Sequence, residues 1–579
     1  MHSRSCHYLC THDAESASSD ADPDGTTPHR RSCASCGSCN GIKEGIMEAD
    51  LVLLNGRIYT LDPQQPTAQA LAIAGNRIVA LGDNRQMQQL LAAGGQQVDL
   101  AGHTVVPGFI DAHIHFLAYG LSLQEIDLAG VDSLAEALER VAARARTTPP
   151  GQWLTGRGWD QSLWGDGAFP TRQELDRVAP DHPVYLRRKC GHAAWANSRA
   201  LALAGITEAT PDPPGGTIQR DATGAPTGIL KERAMDLVER LQQRPTPDQA
   251  REAVRLAMAA VHRLGIVGIH NMEGADALRA FQTLRAAGEL KLRVLQQIPE
   301  ADLDAAIQLG IQSGFGDDFL RFGGVKIFAD GALGARTALM MAPYEGEPDN
   351  YGIALAEPEH LKRQVEKAAR AGLAVFIHAI GDQANRNVLD AIEAVRRHPA
   401  NGSIGPHLRH RIEHAQVLHP DDVSRFAALG VIASMQPIHC TQDMVLADRH
   451  WGARARLSYA WSSLLSSGAV LAFGSDAPVE TPDVLQGLYA AVTRRRPDGY
   501  PGPAGWYPEE CLSIQEAVHA YTAGAAYAGG DENRRGTLSP GKLADLAVLS
   551  QDIFTVEPEA LLETRVVATL VDGEWVYSS

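Results

Sequence analysis

The sequence predicts an α/β protein built on a (β/α)8 TIM barrel. It also predicts a composite β-sandwich domain from both chain ends and a subdomain inserted after the first barrel strand. Three observations lead to this fold class. Short apolar runs alternate with helical patterns in the middle of the chain, strand patterns recur at both ends, and one connection is far longer than the others. The 579 residues are enough for more than one domain.

Residues 1–46 are polar and poor in large apolar side chains, which is typical of a disordered extension. This segment contains Cys33, Cys36 and Cys39, whose spacing resembles part of an iron–sulfur or zinc site. The next cysteine of such a site is missing, so we interpret the segment as a disordered, cysteine-containing tail. Met47 begins a clean strand pattern and is an alternative start of the folded protein.

The two ends of the folded part, 47–105 and 530–579, have similar strand patterns. Residues 49–60 contain an Asn-Gly pair between two apolar runs, which predicts a hairpin. Residues 70–82 and 566–577 repeat this pattern around Gly-Asn and Asp-Gly. We expect the two ends to pair into one composite β-sandwich.

The barrel is predicted at 106–529, with an inserted subdomain at about 117–263 because unstructured loops of that size are uncommon. The apolar run Thr104–Ile110 reads as a buried strand that leads to His113 and His115. The other predicted barrel strands are Ile266–Met272, Leu292–Ile298, Phe322–Phe328, Leu373–Ile380, Arg411–Ala415, Val431–Met435 and Val470–Gly474. Helical patterns separate most of them; one face is formed by Leu361, Val365 and Ala368, another by Val388, Ile392 and Val395.

The composition excludes several functional classes. The net charge of −17 and the lack of a basic run argue against nucleic acid as a partner. No apolar run approaches the length of a membrane span, and the N-terminus lacks the apolar core of a signal peptide. We therefore expect no membrane partner and a cytoplasmic location. The cysteines do not form a secreted disulfide pattern.

Side chains that can bind metals stand at the carboxyl ends of five predicted strands, where barrel enzymes place their chemistry. They are His113, His115, Lys326, His378, His414 and Asp476. The first two alternate along an extended backbone and share a face, and two imidazoles that point to one place suit a transition metal. Each residue alone has a structural alternative, such as a core histidine, a surface lysine or a helix cap. Their joint occurrence on one barrel favours a metal site.

These motifs resemble the amidohydrolase superfamily, in the branch called amidohydrolase family 3, and are similar to those of N-substituted formamide deformylases. The resemblance covers about Met47 to Ser579, and the first 46 residues have no counterpart in it. The matching segments are Val106–His115, Asp330–Thr337, Arg411–His414, Gly474–Pro478 and Gly541–Asp545.

The resemblance implies two divalent metal ions, with zinc as the default and iron, manganese or nickel as alternatives. His113 and His115 would bind the first metal, and His378 and His414 the second. Lys326 would bridge them as a carbamate formed from carbon dioxide. An ammonium group beside two cations would be repelled, whereas a carbamate is anionic and has two oxygens.

The implied function is hydrolysis of a non-peptide C–N bond of the N-substituted formamide or N-acyl amine type. A metal-bridging hydroxide would attack the polarised carbonyl, and Asp476 would touch one metal and carry the proton to the leaving nitrogen. A deaminase, esterase or cyclic amidase on the same fold is an alternative, although Lys326 argues against one-metal deaminases. A non-catalytic regulatory protein is a further one. The expected partner is a small-molecule amide, and a homodimer is compatible with the sequence.

Three further residues are predicted to contact substrate. His192, in Gly191–Trp195 of the insertion, is a candidate donor to the oxyanion, with a structural role as the alternative. His439 follows the seventh barrel strand and is a candidate pocket residue. Trp159, together with Trp164, is a candidate for an apolar pocket wall, with the protein core as the alternative.

Overall fold

The computed structural model describes residues 48–579 except 166, 189–192, 214–215, 242–243 and 398–406. The predicted N-terminal extension, its cysteines and His192 lie outside the described residues. Among the described residues, no helix is both long and apolar enough to cross a lipid bilayer.

Before the barrel, the described chain forms two groups of strands. The elements are β1 (Ala49–Leu54), β2 (Arg57–Tyr59), β3 (Thr67–Ala68), β4 (Ala70–Ala74), β5 (Arg77–Gly82), α1 (Asn84–Gln88), β6 (Leu91–Asp99) and β7 (Thr104–Pro107). One sheet has the order β5-β4-β1-β6. The predicted hairpin at 70–82 is confirmed, because β4 and β5 pair antiparallel.

The hairpin predicted around Asn55 and Gly56 is wrong. β1 pairs with β4 and β6, whereas β2 pairs with β3 and β7 in a different sheet. The two-residue turn typical of an Asn-Gly hairpin needs positive φ at both residues, and only Asn55, at φ +57°, has it. The N–H of Gly56 instead donates to the carbonyl of Gln69 at 2.9 Å. The Asn-Gly pair therefore carries the chain from one sheet to the other.

The apolar run Thr104–Ile110 also divides between two sheets. β7 ends at Pro107, and the first barrel strand, β8 (Phe109–Ile114), begins two residues later. Gly108 lies between them, and a Cβ there would be 2.4 Å from a methyl carbon of Val267. A glycine at this position permits the close approach that one continuous strand would not need.

The long connection after β8 contains helices and strands. Its elements are α2 (Phe116–Ser122), β9 (Ile126–Asp127), α3 (Leu134–Thr147), β10 (Leu154–Trp159), a 3-10 turn (Gln161–Leu163), α4 (Arg172–Val178), β11 (Val184–Arg188), β12 (Ala193–Ala196), α5 (Ser198–Leu203), β13 (Gly216–Arg220), β14 (Pro226–Glu232), α6 (Asp236–Glu239) and α7 (Pro247–His262). The strands of the connection form a sheet of order β13-β14-β12-β11-β10-β9. Together with α3 and α4, this sheet encloses an apolar core of its own.

The remaining barrel strands alternate with helices. The elements are β15 (Ile266–Asn271), α8 (Ala275–Ala286), β16 (Arg293–Pro299), a 3-10 turn (Glu300–Asp302), α9 (Leu303–Gln308), β17 (Leu320–Phe328), α10 (Pro358–Arg370), β18 (Ala374–Ala379), α11 (Asp382–Arg397), β19 (Arg411–His414), α12 (Pro420–Leu429), β20 (Ile432–Met435), α13 (Pro437–Trp451), a 3-10 turn (Gly452–Leu457), α14 (Trp461–Ser466), β21 (Leu471–Phe473), α15 (Val484–Thr493), a 3-10 turn (Pro508–Glu510), α16 (Ile514–Ala520) and α17 (Ala523–Ala528).

The parallel barrel predicted from the sequence is confirmed. Its sheet has the order β21-β20-β19-β18-β17-β16-β15-β8, and all of its paired strands are parallel. At the carboxyl end, the N–H of Asp476 donates to the carbonyl of His113 at 2.7 Å, and the N–H of His115 to that of Ala477 at 2.9 Å. The first and last strands therefore meet where the predicted ligands stand. The apolar faces predicted for α10 and α11 are buried.

The chain ends with a 3-10 turn and three strands among the described residues: β22 (Leu546–Leu549), the turn Pro558–Leu562, β23 (Val566–Val571) and β24 (Glu574–Ser578). They join the early strands in a sheet of order β24-β23-β22-β7-β2-β3. The predicted hairpin at 566–577 is confirmed, with φ of +57° at Asp572 and +79° at Gly573. Apolar side chains of this sheet and of the β5-β4-β1-β6 sheet share one buried cluster.

Candidate metal centre

A cavity of about 330 Å³ opens at the carboxyl end of the barrel. The side chains in its wall that can bind metals are His113, His115, Lys326, His378, His414, His439 and Asp476. The apolar part of the wall includes Phe328, Leu333, Ile380 and Val479, and its other polar side chains are Gln416, Gln442, Asp443 and Glu480. The structure thus brings the strand-end candidates to one place.

His113, His115 and Asp476 form the first group in the cavity. Nε2 of His113 lies 3.4 Å from Oδ1 of Asp476, and Nε2 of His115 lies 3.3 Å from the same oxygen. His113 is in β8, whereas His115 follows the strand and is the N-cap residue of α2. Asp476 has φ +60°, a conformation uncommon for aspartate. The N–H of Asp476 is held by His113, so this turn sets the carboxylate between the histidines.

His414, His439 and the same Asp476 form the second group, with candidate ligand atoms all within 4.8 Å of one another. Nδ1 of His414 donates to Oε1 of Gln436 at 2.8 Å, which leaves its Nε2 with a free lone pair. The rings of His414 and His439 stack with centroids 6.0 Å apart. His439, predicted as a substrate contact, therefore lies close enough to Asp476 for both side chains to bind the same metal ion. Its Nε2 is 3.8 Å from Oδ2.

His378 lines the cavity but belongs to neither group. Its ring centroid is 4.6 Å from that of His414, and its Nε2–H donates to the carbonyl of Gly331 at 3.0 Å. Nδ1 is then the nitrogen of His378 that has a free lone pair. Burial, together with the charge of Lys326, lowers the pKa of His378 to about 3, so the ring is neutral at physiological pH.

Lys326, in β17, is only 4% exposed, and its Nζ lies 4.9 Å from the ring centroid of Phe328. Burial lowers the pKa of this lysine to about 8, while the carboxylates of Glu413 and Asp476 oppose the shift. A larger fraction of Lys326 is therefore in the uncharged amine form than for an ordinary surface lysine.

Three polar atoms of this cavity are buried and have no hydrogen-bond partner among the described residues: Nε2 of His113, Nε2 of His439 and Oδ1 of Asp476. Buried polar atoms are almost always paired in folded proteins. Nδ1–H of His113 donates to Glu413 at 2.6 Å, so its unpaired Nε2 has a free lone pair. Imidazole nitrogens and carboxylate oxygens are typical ligands of divalent metals. The residues therefore fit a metal ion.

The model of the amidohydrolase family matches residues 96–577 of this chain. The chain belongs to the amidohydrolase family. It is 35% identical to the Protein LONG AFTER FAR-RED 3 of Arabidopsis thaliana, over 91% of this chain and 92% of that protein. It is 31% identical to the N-substituted formamide deformylase of Arthrobacter pascens, over 90% of this chain and 97% of the relative.

Solved structures agree with this family assignment. An uncharacterized metal-dependent hydrolase from Pyrococcus furiosus superposes with a TM-score of 0.73 at 32% identity, and the match covers 87% of this chain and all of that one. Family, fold and the unpaired ligand atoms together make this amidohydrolase a metal-dependent hydrolase.

Two side chains that hold the ligand His113 in place, Glu413 and Arg411, were not predicted as functional residues of the amidohydrolase from its sequence. Glu413 accepts from His113 and also from Nε of Arg411 at 2.7 Å. Burial alone would raise the pKa of Glu413, but Arg411 and His113 hold it well below its usual range. A signal existed, because Arg411 and Glu413 alternate along β19 and so share the inward face.

Trp159 does not line the cavity of the amidohydrolase. Its side chain is fully buried in the core of the insertion, and its indole N–H donates to the carbonyl of Leu186 at 2.8 Å. Trp164 lies in the same core and donates to Val131 at 2.9 Å. The predicted pocket wall is thus wrong for both tryptophans, because each ring is enclosed by the fold of the insertion itself.

Proposed function

We propose that this amidohydrolase uses two metal ions to cleave the C–N bond of a small N-substituted formamide or N-acyl amine. The observation that carries the proposal is the convergence of three unpaired ligand atoms and the buried Lys326 on one cavity. The similarity to an N-substituted formamide deformylase over nearly the full length of both chains supports the substrate class.

The residues divide between the two metals. His113 and His115 with Asp476 would hold one ion, and His414 with His378 would hold the other. His439, which shares Asp476 with His414, is a further ligand candidate for the second ion. Lys326 would join the two sites as a carbamate derived from carbon dioxide. Its burial supports this, because only an uncharged amine can attack carbon dioxide.

When bound, the metals would supply Lewis acidity, which polarises a substrate carbonyl and lowers the pKa of water. Glu413 holds Nδ1–H of His113, so that Nε2 stays free to bind. Asp476 stands between both groups and would accept a proton and deliver it to the leaving nitrogen. Phe328, exposed by 46%, and Val479, exposed by 66%, offer apolar surface for the N-substituent.

We further propose that residues 47–105 and 530–579 form a composite domain beside the barrel at 106–529. The sheet that joins β7 to β22 supports this division. A small amide as partner, the absence of nucleic acid and a homodimer stay predictions.

The experiment is a substrate panel with metal-loaded protein. We would measure release of amine from N-alkyl and N-aryl formamides and from N-acetyl amines, beside matched esters, cyclic amides and aminopurines. Formamides and N-acyl amines are expected to react fastest. Lys326→Ala is expected to abolish the reaction, whereas the matched core variant Trp164→Phe keeps it. Faster turnover of the esters, cyclic amides or aminopurines, or unchanged turnover by Lys326→Ala, would contradict the proposal.

A further inference from the structure

A second group of buried polar side chains lies inside the barrel, apart from the wall of the metal cavity. Arg411 is the first residue of β19, and Arg321 is the second residue of β17. Both are buried, as are His270 of β15 and Arg535, which follows α17. None of these four side chains lines the metal cavity. The group therefore calls for an explanation of its own.

His270 has one nitrogen with a partner and one without. Nη1 of Arg411 lies 2.7 Å from Nδ1 of His270. A guanidinium can only donate, so Nδ1 accepts and the neutral ring has its proton on Nε2. This Nε2–H is fully buried and has no acceptor among the described residues. A Cβ on Gly529 would lie 3.1 Å from Nε2, so the glycine leaves space beside it.

Arg535 presents a second unpaired donor. Its Nε and Nη2 lie 2.9 Å and 2.8 Å from Oδ2 of Asp531, but its buried Nη1 has no partner among the described residues. A Cβ on Gly268 would lie 2.4 Å from this Nη1. Gly268 precedes His270 by two residues and shares its face of β15. Both unpaired donors therefore lie along the inward face of the same strand.

The charges of this group do not balance. Arg321 also pairs with Oδ2 of Asp531, at 2.6 Å, so two guanidinium groups share one carboxylate. The next carboxylate along the chain, Glu532, is bound to Arg409 at 2.5 Å and does not pair with either guanidinium. Arg411 is already neutralised by Glu413. A surplus positive charge in a barrel interior is costly unless an opposite charge accompanies it. A water molecule would satisfy the two donors, but only an anion would also balance the charge.

A cavity of about 190 Å³ reaches this region from the amino end of the barrel. Arg321, Phe376 and Gly529 line it, and Phe376 also packs against Arg411, 4.2 Å from the guanidinium carbon. Arg409 is in the wall as well, and none of the described lining residues is acidic. Arg409 is paired with Glu532 at 2.5 Å. Gly529 also lies beside Nε2 of His270, so the cavity brings solvent close to the unpaired donors.

We propose that a small monovalent anion of the halide class binds inside the barrel, held by Nε2–H of His270 and Nη1–H of Arg535. The anion balances the positive charge that Arg321 and Arg535 share. It ties β15 to the segment that follows α17. This site is separate from the metal centre and does not depend on the proposed hydrolysis.

A crystal of the full chain grown in sodium bromide tests the proposal directly. We expect an anomalous bromide peak within hydrogen-bonding distance of both His270 Nε2 and Arg535 Nη1. Bromide peaks on the protein surface alone would mean an adventitious ion only and would overturn the proposal. An ordered water without anomalous signal between the two donors would overturn it as well.

Thermal unfolding gives a second test in solution. In chloride, compared with gluconate at equal ionic strength, we expect Tm to rise by on the order of 1–3 °C. His270→Phe should lose this rise. His262→Phe is the matched control, because Nε2 of His262 is also buried and unpaired but no arginine contributes to its pKa shift. The control should keep the rise. An equal rise in the Tm of His270→Phe would contradict the proposal, and so would the lack of a rise in the unaltered chain. If His270→Phe does not fold, the bromide crystal of the unaltered chain decides.

Discussion

The tryptophans of the insertion and the histidines of the barrel cavity are both groups of packed ring side chains, but their polar atoms differ. The rings of Trp159, Trp164 and Trp195 lie with centroids 5.9 to 6.2 Å apart. Each indole N–H donates to a main-chain carbonyl, at 2.8, 2.9 and 2.8 Å. In the cavity, by contrast, His113 and His439 each keep a buried nitrogen without a partner among the described residues.

In these two groups of rings, the difference separates a core from a binding site, because the unpaired nitrogens of the cavity lie beside other atoms that can bind a metal. A buried ring with all of its polar atoms paired has a complete environment, and its burial stabilises the fold. A buried ring with an unpaired nitrogen has lost its hydration without compensation, unless a ligand binds there. The contrast makes opposite predictions for substitutions in the two regions, since one set should change activity and the other stability.

The largest effect is expected for Asp476→Asn. The amide keeps the size of the side chain but removes the negative charge between the two groups of histidines. We expect kcat/KM for the best substrate of the panel to fall by about 10²–10⁴-fold, with little change in metal-free Tm. Steady-state kinetics and thermal unfolding of the same preparation measure both. Activity within a few-fold of the unaltered chain would show that Asp476 neither binds a metal nor carries a proton.

Trp159→Ala should do the reverse. It removes a fully buried ring, and we expect unfolding to become easier by about 3–5 kcal/mol. Urea unfolding followed by circular dichroism measures the loss. The folded fraction should keep kcat/KM close to that of the unaltered chain, because the ring is not part of the cavity wall. A selective rise in KM without loss of stability would show that Trp159 contacts the substrate.

Glu413→Gln should have a smaller effect on the metal centre. The amide can still accept from His113 but no longer carries the charge that makes the imidazole a stronger ligand. We expect metal affinity to fall by about 10–100-fold, as for other side chains that orient a ligand. Competition with a chromophoric chelator measures this. Glu289→Gln, an exposed change at a pair with Arg255, is the control and should leave the affinity unchanged.

The smallest effect concerns a buried histidine outside the cavity. Burial lowers the pKa of His262 to about 4, from an ordinary value of 6.5. The folded state therefore disfavours the charged ring. The contribution of His262 to stability is present above pH 6.5 and is lost as the pH falls from 6.5 towards 4.

The measurement compares metal-free protein with His262→Phe between pH 7 and pH 4. The free energy of unfolding should fall by up to about 1.4 kcal/mol per pH unit more steeply in the unaltered chain. Parallel pH profiles for the two proteins would show that His262 is not buried as a neutral ring.

The sequence predicted the barrel well because its strands are short apolar runs that depend mainly on local pattern. Each strand of the barrel from β15 to β21 lies within two residues of its prediction. Asn55-Gly56 shows where local pattern is insufficient. The pair looks like a hairpin turn, but the partners of β1 and β2 come from distant parts of the chain, and these pairings decided the outcome.

The candidate site shows a similar division. The residues at the strand ends were predictable, because strand ends of one barrel meet in space. The orientation of each ring was not. That His378 turns its Nε2–H to Gly331, and that His439 reaches Asp476, depends on side-chain contacts that no spacing encodes. The prediction for Trp159 failed for the same reason, since the burial of this ring depends on the sheet of the insertion.

The most direct test of the central claim is the metal content of the purified chain, measured by inductively coupled plasma mass spectrometry after removal of loosely bound ions. The account predicts two equivalents of divalent metal per chain. Asp476→Asn and Lys326→Ala should each contain clearly less, and Trp164→Phe should contain the same amount. A chain without bound metal that still hydrolyses amides at full rate would contradict the account.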